Sequence, residues 1–141
     1  MATSTQTYEV NIADVEYLRH GDAPLLARLF TPKGDGPFPI MLELHGGAWV
    51  RGARENGDAA NEALAKTGVI VAALDFRTQE RYPASVADIH YAVRWAKTQA
   101  KSWNGNSEKR KFNQIAKSTG RHGARIETAG GDGAREIQSI N

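Results

Sequence analysis

Residues Phe38–Arg51 read FPIMLELHGGAWVR, and the position of this segment governs the assignment of every other element of the chain. From Ile40 to Leu44, aliphatic side chains recur at every second residue, which is the period of a β-strand. Gly46 and Gly47 follow at once, and glycine lets the backbone turn sharply with its N–H groups exposed. The pattern predicts a buried strand that leads into a loop whose main-chain amides can receive a developing negative charge.

Composition limits the chemistry that the chain can perform. Its 141 residues fit one domain or a fragment of a larger one, and 40% of them are apolar. The absence of cysteine excludes disulfides, thiolate metal sites and a cysteine nucleophile, which leaves Ser, Asp, Glu and His. We expect no metal and no cofactor. The sequence has no apolar run long enough to span a bilayer, and MATSTQTYEV lacks the features of a signal peptide, so we expect a cytoplasmic protein without a membrane partner.

Two strands are predicted ahead of the central segment, at Tyr8–Leu18 and Ala23–Thr31. Between them lies the short polar turn His20-Gly21-Asp22, with glycine where a hairpin needs a positive φ. We therefore expect the fold to begin with an antiparallel hairpin, and we expect His20 to be an exposed turn residue.

A helix and a second buried strand are predicted after the central segment. Asp58 is the predicted N-cap of a helix that runs to Lys66. Val69–Leu74 has no polar residue, as expected for a strand that is buried on both faces. This order of elements predicts a parallel crossover, so the predicted fold class is α/β. The apolar stripe of the helix is predicted at Ala59, Ala60, Ala63 and Leu64.

The most regular helical pattern covers residues 84–100, directly after Tyr82-Pro83. Asp88 and Arg94 are expected on its surface or in a bracing role. Its apolar face is predicted from spacings of three and four residues, at Val86, Ile89, Val93 and Ala96.

The segment His45–Trp49, HGGAW, resembles the HGGG-type oxyanion loop of the α/β-hydrolase superfamily, in the esterase and lipase branch. Downstream, the strand end Asp75–Arg77 and the pair Tyr82-Pro83 are similar to the D-F-R and Y-P elements of the same enzymes. The resemblance extends over residues 8–108. It includes a D-x-x-x-A-x-R-W helix pattern, matched here by Asp88, Ala92, Arg94 and Trp95.

The resemblance implies a partial α/β-hydrolase fold over residues 1–108. In that fold an N-terminal antiparallel hairpin leads into a mostly parallel sheet flanked by helices. The resemblance also implies an oxyanion hole made by the N–H groups of Gly47 and Ala48, with Gly46 allowing the turn.

Four further residues are implied in the substrate pocket or in bracing the oxyanion loop. For two of them a pairing is expected: Asp75 and Arg77 form either an ion pair that braces the loop or a plain surface pair at the strand end. The full set is His45, Trp49, Asp75 and Arg77.

The resembled enzymes carry a G-x-S-x-G nucleophile elbow after the next strand, and the best match here is Ala116–Gly120, with Ser118 as the nucleophile. The match departs from the family pattern, because Ala116 replaces the first glycine and Arg121 replaces a glycine that helps the helix to pack. The residues before it are also more polar than those of a central strand. His122 follows Ser118 too closely to serve as its base.

Residues 109–141 form an atypical basic tail. Residues 1–96 carry 9 Lys and Arg against 12 Asp and Glu, whereas residues 97–141 carry 9 against 4. Apolar periodicity is lost in the same region, and the acid and the histidine that a serine nucleophile needs are not found. Two interpretations follow: a disordered tail, or a reading frame that shifted near residues 108–110.

Three functions are weighed against these patterns. The first is a carboxylic-ester hydrolase for a small ester, truncated in this chain and with its activity left open. The second is a non-catalytic half-domain that binds a partner or self-associates through a sheet edge left uncovered after the third or fourth strand. The third is nucleic-acid binding by Lys109–Phe112, which we do not expect because a short basic cluster is usually a solvated tail.

Overall fold

The central strand of the structure, a computed structural model, has a parallel neighbour on each side. The structure describes residues 6–47, 51–105, 112–116 and 125–128. In chain order the strands are β1 (Val10–His20), β2 (Ala23–Pro32), β3 (Ile40–Leu44), β4 (Ile70–Leu74), β5 (Phe112–Ala116) and β6 (Arg125–Thr128). The helices are α1 (Asp58–Ala65), which follows a 3₁₀ turn at Arg54–Gly57, and α2 (Ala84–Gln99).

These six strands form one mixed sheet in the order β1-β2-β4-β3-β5-β6. β1 and β2 form the predicted antiparallel hairpin, and β2 is also antiparallel to β4. β3 is parallel to β4 and to β5, with Leu44 opposite Leu74 on one side and Ala116 on the other. β6 is antiparallel to β5. The α/β class and the parallel crossover from β3 to β4 are therefore confirmed.

Two hydrophobic layers cover the two faces of the sheet, because successive residues of a strand point to opposite sides. The larger layer includes Leu29, Leu42, Leu74 and Ala92, the last of which is contributed by α2. Full burial of one such large aliphatic side chain contributes about 1.5–3 kcal/mol. The smaller layer, on the side of α1, consists of Phe30, Ala65, Val71 and Ala73. As predicted, all of β4 is buried, since it lies between two strands and under both layers.

The prediction for the buried face of α1 is wrong for three of its four residues, and only Leu64 packs against the core. Ala59, Ala60 and Ala63 are exposed, and the buried residues are Asn61 and Ala65. Alanine is small and only weakly apolar, so an alanine-rich segment gives little contrast between its faces. The predicted N-cap is also wrong. Gly57 occupies that position, and Asp58 is the first residue of the helix.

The buried face of α2 differs from the predicted one as well. Asp88, Ala92 and Ala96 are buried, while Val86 and Val93 are only half-buried. Of the predicted apolar face, only Ala96 is fully covered. Of the two roles expected for Asp88, the surface position is wrong and the bracing role is found, because Arg77, described below, holds its carboxylate inside.

His20 is the last residue of β1 rather than an exposed residue of the turn. Its Nε2 lies 2.9 Å from Oδ1 of Asp88, and its side chain is half-buried. The hairpin prediction is confirmed, but the role predicted for His20 is wrong, because a residue 68 positions away draws the imidazole onto α2.

Strands β1 and β6 are the edges of the sheet within the described residues. The uncovered edge predicted after the third or fourth strand is not found there, because β3 and β4 each have a neighbour on both sides. Both β5 and β6 belong to the segment 109–141 that we expected to be a separate tail. Neither described helix has the length and the apolar character that a membrane crossing requires.

Candidate active site

The predicted oxyanion loop begins where the ladders of β3 end. Leu44 is the last residue of β3 paired with β4 and with β5, so Gly46 and Gly47 lie beyond both ladders at the carboxyl end of the strand. The amide of Arg51 donates to the Gly47 carbonyl at 3.3 Å and closes the loop. Gly47 has φ +132°, and a Cβ there would lie 1.9 Å from the Arg51 carbonyl oxygen, so only glycine fits. Ala48 and Trp49 lie outside the described residues.

His45 lies beneath this loop, with 7% of its surface exposed. Its ring stacks on Phe76 at a centroid distance of 4.4 Å, and Nδ1 lies 2.9 Å from the Gly46 carbonyl oxygen. Because a carbonyl only accepts hydrogen bonds, Nδ1 carries the proton in this arrangement. Nε2 is buried and has no hydrogen-bond partner among the described residues. His45 therefore contacts the oxyanion loop from inside the protein and holds the Gly46 carbonyl.

Asp75 binds Arg54 and not Arg77, so the predicted Asp75–Arg77 ion pair is wrong. The Arg54 amide donates to Asp75 Oδ1 at 2.9 Å, and Arg54 Nη1 donates to Oδ2 at 2.7 Å. The backbone of Asp75 is held as well, because its N–H donates to the Leu26 carbonyl at 2.8 Å and its carbonyl accepts from the Tyr17 hydroxyl. Asp75 is thus a fixed anchor for Arg54, which lies a few residues after the predicted oxyanion loop.

A cluster of ionic side chains surrounds Arg54, and the sequence did not predict it. Asp14 accepts hydrogen bonds from Arg28 Nε at 2.9 Å and from Arg54 Nη2 at 3.2 Å. Hydrogen bonds from Arg28, and then from Arg54, lower the pKa of Asp14 to about 2. Glu55 and Asp58 extend the cluster at its exposed side. The partners come from separate elements, and no local spacing in the sequence marks them.

Arg77 belongs to a second ionic group, on the side of α2. Its Nε and amide N–H each donate to Asp88 Oδ2 at 3.0 Å, and its Nη2 donates to Oδ1 at 2.9 Å. Burial of Asp88 opposes its ionisation, but the hydrogen bonds from Arg77 and His20 outweigh burial and hold the pKa of Asp88 below its usual value. Arg77 therefore braces the segment between β4 and α2.

Glu43 is a buried carboxylate on β3 that the sequence did not single out as a site residue. It is 6% exposed, and Asn61 Nδ2 donates to its Oε2 at 3.2 Å. This contact explains why the polar residue Asn61 lies on the buried face of α1. No group of three or more His, Asp or Glu side chains among the described residues could hold a metal ion.

Ser118, the predicted nucleophile, lies outside the described residues. The strand before it is described: β5 ends at Ala116, directly opposite Leu44 of β3 and parallel to it. The carboxyl ends of β3 and β5 therefore lie side by side, so β5 ends next to the start of the predicted oxyanion loop. Although its sequence is polar, β5 lies inside the sheet, between β3 and β6.

A mixed sheet in this strand order, which starts with an antiparallel hairpin and continues into parallel strands, is that of a partial α/β-hydrolase fold. The family model BD-FAE matches residues 28–135, and the chain belongs to that family.

Known proteins similar to this chain are esterases. Esterase LipC of Mycobacterium tuberculosis is 32% identical over 73 residues, which are 50% of this chain and 18% of LipC. The versiconal hemiacetal acetate esterase of Dothistroma septosporum is 28% identical over 74% of this chain and 31% of its own. The hyperthermophilic esterase of Pyrobaculum calidifontis is 26% identical, covers 78% of this chain with a TM-score of 0.68, and is itself covered over 36%. The matched part of the chain thus spans about a third or less of each relative.

Proposed function

We propose that this chain is part of a serine carboxylic-ester hydrolase whose oxyanion hole is formed by the N–H groups of Gly47 and Ala48. The observation that carries the proposal is the position of Gly46 and Gly47 beyond both parallel ladders of β3. Amides of such a loop are not used by the sheet and can donate to an anionic oxygen. Membership in the BD-FAE family and the similarity to esterases support an ester as substrate.

In the proposed reaction Ser118 attacks the ester carbonyl and forms a tetrahedral intermediate whose oxygen is negatively charged. In this mechanism a histidine base, a role to which no histidine of this chain is assigned, takes the serine proton and donates it to the leaving alcohol as the intermediate collapses to an acyl-serine. Water then attacks the acyl-serine, the same base takes the proton of the water, and the carboxylic acid and the free serine are released. The Gly47 and Ala48 amides donate to the oxyanion, and one such donor typically contributes about 3–4 kcal/mol of transition-state stabilisation. His45 supports the loop by fixing the Gly46 carbonyl.

Hydrolysis of p-nitrophenyl acetate by the purified chain tests this proposal. We expect turnover above the rate in buffer, and we expect Ser118→Ala to remove it. Ser102→Ala is the matched control, because the Ser102 hydroxyl is exposed and only donates to the Gln99 carbonyl. A wild-type chain that is inactive at every concentration would contradict a catalytic role for this chain and favour the non-catalytic half-domain. Equal activity in Ser118→Ala would reject Ser118 as the nucleophile.

A further inference from the structure

Arg54 lies three residues after Arg51, whose amide closes the loop, and carboxylates hold the Arg54 guanidinium from two sides. Nη1 donates to Asp75 at 2.7 Å, while Nε and Nη2 donate to the two oxygens of Asp14 at 3.3 and 3.2 Å. Only 17% of the Arg54 side chain is exposed. A planar guanidinium bound along two edges loses its freedom to rotate, so the backbone that carries it is fixed as well.

The two carboxylates belong to different parts of the sheet. Asp75 follows β4 and is held by two backbone hydrogen bonds, as described above. Asp14 lies in the middle of β1, at the edge of the sheet, where Arg28 of the neighbouring strand also binds its carboxylate. The N-terminal hairpin is therefore connected to the oxyanion loop through Asp14 and Arg54.

The loop needs such an anchor. Its closing hydrogen bond, from the Arg51 amide to the Gly47 carbonyl, measures 3.3 Å and is longer than a typical bond of this kind. Gly47 and Gly52 both have positive φ, a backbone conformation that is entropically costly to fix. The charge-assisted contacts of Arg54, which are short to Asp75 (2.7 Å) and longer to Asp14 (3.2 and 3.3 Å), can hold this part of the chain where the glycines do not.

We propose that Asp14 is a positioning residue for ester hydrolysis, which keeps the oxyanion loop in its working conformation by holding Arg54 against Asp75. This inference rests on the proposed function for its catalytic consequence, but the mechanical connection can be tested without it. The low pKa of Asp14 is consistent with this role, because it keeps the carboxylate charged under all ordinary conditions.

The test compares Asp14→Asn with Glu16→Gln. Both substitutions remove one negative charge from β1, but within the described part of the chain Glu16 pairs only with exposed Arg19 at 2.8 Å, outside the cluster. The readout is hydrogen exchange of the Arg51 amide, followed by NMR at constant pH. Exchange reports the equilibrium between the closed and the open state of this amide, and loss of a charged hydrogen-bond partner typically changes such an opening equilibrium about tenfold or more. We expect exchange of the Arg51 amide to rise about tenfold in Asp14→Asn and to stay within about twofold in Glu16→Gln.

Amides of α2 serve as the internal reference, because a positioning role predicts no change there. Arg54→Lys keeps the charge but loses the planar fork whose separate nitrogens bind Asp75 and Asp14, so we expect it to behave like Asp14→Asn. Unchanged exchange of the Arg51 amide in Asp14→Asn, or an equal rise throughout α2, would overturn the inference.

Kinetics adds a second readout that general destabilisation would not reproduce. For p-nitrophenyl acetate we expect Asp14→Asn to lower kcat about tenfold while KM stays within about twofold, because only transition-state binding is affected. A wild-type chain without hydrolytic activity would contradict the proposed function, and the exchange experiment would still decide whether Asp14 holds the loop.

Discussion

Arg77 donates three hydrogen bonds to the carboxylate of Asp88, two from its guanidinium and one from its own backbone amide, at distances of 2.9–3.0 Å. Asp88 is 1% exposed, so these bonds lie in the interior of the protein. They join the segment that follows β4 to the first turns of α2. His20 adds a contact from the end of β1, so one carboxylate connects three elements.

Asp88→Ala should strongly destabilise the fold, because it leaves Arg77 and its amide without their acceptor. Removal of one partner from a buried ion pair costs about 3–5 kcal/mol. Since part of the Arg77 side chain reaches solvent, we expect a loss of about 3 kcal/mol in the free energy of unfolding, measured by urea denaturation.

Glu80→Gln is the matched control for this measurement. Glu80 binds the same guanidinium at 3.3 Å, but its side chain is 59% exposed. An exposed ion pair contributes little, so the expected change is below about 0.5 kcal/mol. Equal losses in the two variants would show that burial of Asp88 does not determine the strength of this contact.

The positions of β1 to β4 could be predicted from the sequence because their signals are local, whereas β5 and β6 lie in the segment that was expected to be a tail. The alternation in Ile40–Leu44 and the unbroken apolar run that contains Ile70–Leu74 each identify a buried strand without knowledge of its neighbours. The crossover between them follows from the general rule for parallel strands. The order of all six strands required the structure.

The ionic groups could not be predicted, because their partners are far apart in the sequence. His20 and Asp88 are 68 residues apart, and Arg54 and Asp14 are 40 residues apart. The sequence suggested Asp75 and Arg77 as partners only because they are close in the chain. In the fold each of them has its own partner, Arg54 for Asp75 and Asp88 for Arg77.

The helix faces were mispredicted for a related reason. Asp88 was expected on the surface or in a bracing role, and the structure gives it the bracing role, because hydrogen bonds from Arg77 offset the cost of burying its carboxylate. Asn61 is buried for the same reason, with Glu43 as its partner. Apolar periodicity cannot reveal polar residues that are buried in pairs.

Gly52→Ala should destabilise the protein more than Gly21→Ala, although both glycines have positive φ. A Cβ on Gly52 would lie 2.3 Å from His45 Nδ1 and 2.4 Å from the Gly46 carbonyl oxygen, whereas a Cβ on Gly21 would meet nothing within 4 Å. Gly21→Ala should cost about 1 kcal/mol for its backbone conformation alone. For Gly52→Ala we expect at least about 2 kcal/mol more in urea denaturation, because backbone and a packed ring must move. Similar losses at the two positions would show that the loop does not pack on His45.

The central claim is that the Gly47 and Ala48 amides donate to an anionic oxygen on the substrate of Ser118. The most direct measurement is the amide spectrum of the chain labelled with ¹⁵N-glycine and ¹⁵N-alanine, before and after reaction with a fluorophosphonate. The phosphonyl oxygen of the serine adduct then takes the place of the oxyanion. We predict an adduct on Ser118 and downfield shifts of the Gly47 and Ala48 amide protons, with Gly21 unchanged. An adduct on another residue, no adduct, or an adduct that leaves both amides unshifted would contradict the claim.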